Sequence, residues 1–174
     1  MKKVLLGLSL TASLLLADNF TLKSNSLKGQ LTNKQVFNGF GCSGENISPE
    51  LSWEDAPKGT KSFAVTVYDK DAPTGSGWWH WVVFNIPSNI TKLEEGFGNK
   101  PSKGVIQSIT DFGVSGFGGA CPPIADKAHE YIFTVHALDV EKLELDEKAT
   151  PALVGFMINS HSLGKASVVS YYDR

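Results

Sequence analysis

Apolar and polar positions alternate over short runs, and the clearest alternation lies in the middle of the chain. Ser62 to Tyr68 (SFAVTVY) is rich in β-branched and aromatic residues and predicts a strand. Trp79 to Ile86, Tyr131 to Leu138 (YIFTVHAL) and Ser167 to Tyr172 (SVVSYY) predict three more. Phe20 to Leu22, Gln30 to Thr32 and Leu51 to Trp53 are shorter candidates. The period changes once, after Thr150-Pro151: a helix start with proline in its first turn precedes Leu153, Val154, Phe156, Met157 and Ile158 at helical spacing. The segment from Leu93 to Gln107, interrupted by Gly96, Gly98, Pro101 and Gly104, reads as a surface excursion.

Composition narrows the class. The 174 residues include 17 glycines and 8 prolines spread between β-like runs, which favours one turn-rich, mainly β domain over a helical bundle. A formal charge of -2 offers no basic face for nucleic acid. The first residues differ from the rest: Lys2-Lys3 precedes VLLGLSLTASLLLA, and the chain turns polar at Asp18. Residues 1–17 have the build of a secretory signal peptide, too short for the roughly 20 residues of a membrane span. The expectation is an exported, periplasmic protein whose single domain covers 18–174, with no transmembrane span after cleavage. Cys42 and Cys121 are the only cysteines. An oxidising compartment permits them to join, and two buried thiols are the other reading.

Candidate chemistry gathers at two loops. In Tyr68 to Pro87 (YDKDAPTGSGWWHWVVFNIP), Asp69 and Asp71 follow a strand and lie two apart, and His80 returns after a proline and glycine loop. In Asp111 to Tyr131 (DFGVSGFGGACPPIADKAHEY), Gly113, Gly116, Gly118 and Gly119 let backbone approach a ligand and are expected to offer N–H groups to an anion. His129 ends that run. Three chemistries are compatible with these residues: anion binding by His80, His129 and loop N–H groups, with the aspartates orienting the rings; a mixed oxygen and nitrogen metal set; or acid/base work on a water. Each aspartate has a turn cap as its other reading, and His136 and His161 read as structural or surface groups. Trp78, Trp79 and Trp81 read as core and loop anchors. GxSxG, HExxH and Walker patterns are absent, and no cofactor is implied.

DKDAP with GSGWWHWVVFNIP, followed by GFGGACPP and AHEYIFTVHALD, resembles the phosphatidylethanolamine-binding proteins, in particular their bacterial Raf-kinase-inhibitor-like branch. The resemblance runs from about Phe20 to Arg174. It implies a mainly β fold of two packed antiparallel sheets, a β-sandwich with a few peripheral α-helices, and a small anion pocket at one end. It places ligand-binding positions at Asp69, Asp71, His80, Pro122, His129 and Tyr131, with Pro73 and Pro123 beside them. The function it implies is binding of phosphate or a phospholipid headgroup, or modulation of a partner, without enzymatic activity. A secreted inhibitor acting on a protease or another protein through its surface is the alternative, and a homodimer is plausible by the same resemblance. Two positions depart from the family's pattern: Lys70 replaces a proline and Glu130 replaces an arginine. Either Glu130 brings negative charge to the pocket, or both side chains point away from it.

Overall fold

The strand β5 (Ser62–Asp69) is buried along nearly its whole length, because its two faces are covered by different layers. Phe63, Val65 and Val67 face one cluster; Ala64, between them, faces another. In this computed structural model, which describes residues 19–100 and 102–174, β5 is the middle of the main sheet. The expected signal peptide at 1–17 lies outside the described residues.

In chain order the other strands are β1 (Thr21–Lys23), β2 (Asn38–Gly39), β3 (Cys42–Ser43), β4 (Leu51–Glu54), β6 (Trp78–Pro87), β7 (Lys92–Leu93), β8 (Ile106–Gln107), β9 (His129–Leu138) and β10 (Ser162–Tyr172). An antiparallel sheet of order β10-β9-β5-β6-β8 carries the long strands, and a three-stranded sheet β1-β4-β7 packs on it. Leu22, Leu51, Trp53 and Leu93 of the small sheet meet Phe63, Val65, Trp81, Phe133 and Val135 of the large one. This is the expected sandwich. The helix α1 (Pro151–His161) covers the opposite face, where Val154 and Ile158 pack on Ala64, Val82, Phe84 and Leu138. Thr150 caps it, its hydroxyl accepting from the Leu153 N–H, and Pro151 opens it where no N–H is needed. Among the described residues the helices are α1 and two short 3-10 turns, Asn33–Gln35 and Phe97–Asn99. None is long and apolar enough to cross a membrane.

Two expectations shift in detail. Gln30 to Thr32 forms no strand of its own, and Gln30 makes an isolated bridge to Tyr171. The last strand begins at Ser162 rather than Ser167, since Gly164 to Ala166 pair with Ala137 to Val135 despite weak β-propensity. The glycine-rich Phe37 to Ser43 is a hairpin, β2 to β3. Its turn residues Phe40 and Gly41 both have positive φ, as a type I′ turn requires.

Candidate functional site

The alternation that buries β5 and β9 also builds the site. Phe63, Val65 and Val67 point into the sandwich, and Asp69 continues that face to the strand's end. On β9, Val135, Phe133 and Tyr131 do the same and His129 continues them. Asp69 pairs with Tyr131 in register, which brings Asp69 and His129 together at the end of the core.

His80 reaches the same point by a different device. Val67 pairs with Trp81 and Tyr68 with Trp79, so His80 is the extra residue of a β-bulge. The bulge interrupts strict alternation and turns His80 to the side of Trp81, edge-on to Tyr131 with ring centroids 5.1 Å apart. Nothing in the sequence period signals this.

A cavity of about 160 Å³ opens over these side chains, lined by Asp69, His80, Pro122, His129 and Tyr131 and walled by Phe40, Trp78 and Phe112. Five of the six expected ligand-binding residues therefore converge. Asp71 does not line the cavity. Its Oδ1 accepts from Lys127 Nζ at 2.6 Å and its Oδ2 from the Glu130 N–H at 2.9 Å. These bonds hold its carboxyl below the usual carboxylate range and make it a tie between strand ends rather than a group facing a ligand.

Asp69 is buried and fully engaged. Its Oδ1 accepts from the N–H groups of Asp71 (2.8 Å) and Ala72 (3.1 Å), and its Oδ2 lies 2.7 Å from His129 Nδ1. On the ring's other side His129 Nε2 lies 3.2 Å from Asp126 Oδ2. A carboxylate only accepts, so both ring nitrogens donate and His129 is an imidazolium. Burial opposes the charge, but the hydrogen bonds to Asp69 and Asp126 outweigh it and raise the pKa above the usual imidazole value. The contact in turn keeps Asp126 ionised.

His80 is the opposite case. Burial lowers its pKa, with the Gly118 carbonyl and Asp69 pulling the other way, so the ring is neutral. Its Nδ1 lies 2.7 Å from Gly118 O and must carry the proton, which leaves Nε2 as an acceptor. Tyr131 supplies the floor. Its hydroxyl is buried and makes no hydrogen bond of normal geometry among the described residues, and burial, then the nearby Asp69 carboxylate, raises its pKa far enough to keep it protonated.

The glycine run does not cup an anion. The N–H groups of Phe117, Gly118, Gly119 and Ala120 are bonded to Gly98 O, His80 O, Asn46 Oδ1 and Gln35 O. Glycine serves close packing instead: a Cβ on Gly118 would enter the Phe112 ring and one on Gly119 would meet Gln35 backbone. Phe112 is the pocket residue least legible from the sequence. It contacts Phe37, Phe40, Trp78 and His80, and the N–H of Trp79 holds the segment through Asp111 Oδ2 at 2.7 Å. Asp126 was also missed, although its place three residues before His129 was available as a signal.

Cys42 and Cys121 are joined, with Cα atoms 6.0 Å apart, tying the Phe40 hairpin to the residue before Pro122. The last residue adds a clasp: Arg174 Nε donates to Pro122 O at 2.6 Å. The other histidines stand apart from the cavity. His136 is buried against Thr66 Oγ1 at 3.3 Å, and His161 faces Asp139 on the surface. Trp53 and Trp81 are core residues, while Trp78 forms pocket wall.

Residues 26–173 match the family model described as phosphatidylethanolamine-binding protein. The chain is 53% identical over 157 residues to the UPF0098 protein YbhB of Escherichia coli K12, covering 87% of this chain and 99% of that protein. The solved structure of E. coli YbcL, described as a new member of the mammalian PEBP family, superposes with a TM-score of 0.87 at 50% identity, covering 91% of this chain and 99% of that one. A putative phosphatidylethanolamine-binding protein homolog from Chlamydia trachomatis superposes with a TM-score of 0.76 at 27% identity, covering the same shares of the two chains.

Proposed function

The chain belongs to the phosphatidylethanolamine-binding protein family, and on that footing we propose that it is a non-enzymatic binding protein whose pocket takes a phosphate-type anion, free or as a phospholipid headgroup. The observation that carries the reading is the floor of the cavity: a buried imidazolium, His129, beside a protonated Tyr131 hydroxyl that makes no hydrogen bond of normal geometry among the described residues. A buried donor left unpaired costs about 1–3 kcal/mol, a cost that a bound oxyanion removes. The neutral His80 adds an acceptor, so the complementary ligand carries a donor as well: a monoprotonated phosphate, or phosphoethanolamine with its ammonium. Phe40, which lines the cavity and is 68% exposed, suits an apolar group attached to that head.

A binding role fits the acids better than acid/base catalysis does. Oδ1 of Asp69 holds two backbone N–H groups and Oδ2 the His129 ring, a set of bonds that suits a fixed acceptor better than a general base. The disulfide, which persists in oxidising compartments, and the signal-like sequence of residues 1–17 together support a periplasmic location. Calorimetric titration with inorganic phosphate and O-phosphoethanolamine tests the reading. Binding by the native chain that is lost in His129→Gln supports it; absence of heat at millimolar concentrations of either ligand sinks it.

A further inference from the structure

The donors of the pocket are already partly spoken for. His129 is the cation an anion would approach, yet its Nδ1 is taken by Asp69 and its Nε2 by Asp126, at 2.7 and 3.2 Å. Asp126 does not itself line the cavity, but on the His129 ring two carboxylates meet one imidazolium, and a third negative group brought to that ring meets net repulsion. The two carboxylates differ in kind. The Asp69 side chain is 4% exposed and held by two backbone N–H groups besides the ring, whereas that of Asp126 is 37% exposed. Asp126 lies in the exposed run 123–128, and its other oxygen accepts only from the N–H of the next residue, Lys127, a bond that would turn with it.

Resting on the anion reading above, we propose that Asp126 is a built-in competitor for the anion: its carboxylate sits on His129 Nε2 in the place of a ligand oxygen, and a ligand binds by displacing it into solvent. Asp126 is then the residue that sets the affinity threshold of the pocket. Only an oxyanion that gains more than the single Asp126 contact, by also reaching the Tyr131 hydroxyl and the His80 acceptor, replaces it. Simple carboxylates, which offer no donor to His80, are selected against. The groups facing His129 are Asp69 from β5, Asp126 from the loop, His80 from β6 and Tyr131 from its own strand, with Tyr172 of β10 its register partner. Asp126 is the one ionised group among them that can leave without opening the core.

The test compares Asp126→Asn and Asp126→Glu with the native chain at about pH 6, below the ordinary imidazole value near 6.5. Affinity for inorganic phosphate and for O-phosphoethanolamine is measured by calorimetry, and the ring titration of His129 by NMR without ligand. Asp126→Asn is expected to bind both probes about tenfold or more tightly, the scale of one charge-assisted hydrogen bond; Asp126→Glu is expected to stay near the native value. The ligand-free His129 of Asp126→Asn should titrate at lower pH than in the native chain. The ratio between the probes separates a free phosphate from a headgroup. Equal or weaker binding by Asp126→Asn, with the native chain still binding, overturns the competitor role and leaves the anion reading intact. A His129 titration that does not move overturns it without reference to any ligand. Failure of every protein to bind either probe defeats both.

Discussion

Glu130 Oε2 lies 2.7 Å from Lys70 Nζ, so the two charges whose place relative to the pocket was in question are partners. They sit across from each other because Asp69 and Tyr131, their neighbours, are paired in register. Strand alternation sends them away from the cavity that Asp69 and Tyr131 line. The negative charge of Glu130 is therefore neutralised outside the pocket. Glu130→Gln should leave phosphate affinity within about twofold of the native chain, since exposed ion pairs contribute little. Calorimetry reads the result, and a tenfold change would place Glu130 in the site after all.

Asp69 is the group on which the pocket depends. Asp69→Asn keeps one acceptor oxygen, loses the charge that balances His129, and strands an imidazolium in a buried place. The expected cost is about 3 kcal/mol in urea unfolding together with loss of phosphate binding. A variant as stable as the native chain would show that the Asp69–His129 contact is not made in solution.

The central strands are legible because each alternates and has a buried face, and Asp69 and His129 follow from strand ends, whereas Tyr131 as a ligand position rests on the family resemblance. The bulge at His80 was not readable, since it is a matter of pairing between β5 and β6 that no local period encodes. Phe112 and Asp126 sit in loops whose conformation is set by distant partners, Trp79 for one and His129 for the other. Backbone freedom in the glycine run points to an anion cup. It is instead a packing seam, because Phe112 and Gln35 leave no room for a Cβ.

Acid should destabilise the fold through His136. Its buried ring has a pKa pushed down to about 4, so the unfolded chain, with an ordinary imidazole near 6.5, binds the proton first as pH falls. The stability this group contributes is complete above about pH 6.5 and is lost between there and about pH 4, on the order of 3 kcal/mol. His80, also lowered, acts in the same direction, while His129, raised, opposes it: its contribution is present below about pH 6.5 and lost as pH rises through its folded value. Urea midpoints should be lower at pH 4.5 than at pH 7, by a margin that shrinks in His136→Gln. A margin unchanged by that substitution would remove His136 from the account.

Reduction of Cys42–Cys121 opens a covalent loop whose ends are 79 residues apart in sequence. The chain-entropy model puts its contribution at about 4.5 kcal/mol. Dithiothreitol should therefore lower the urea midpoint. Phosphate affinity should fall as well, because Phe40 and Pro122 lose their covalent tie across the pocket wall. Equal affinity for the reduced and oxidised chains would separate the disulfide from the site.

The most direct measurement is a long-range proton–nitrogen correlation spectrum of the histidine rings, recorded while O-phosphoethanolamine is added to the native chain. Before ligand, His129 should show two protonated nitrogens and His80 one, at Nδ1. On titration the His129 Nε2 and His80 Nε2 signals should shift together and saturate, while those of His136 and His161 stay in place. Signals of His80 and His129 that do not move at millimolar ligand would contradict an anion pocket at this site.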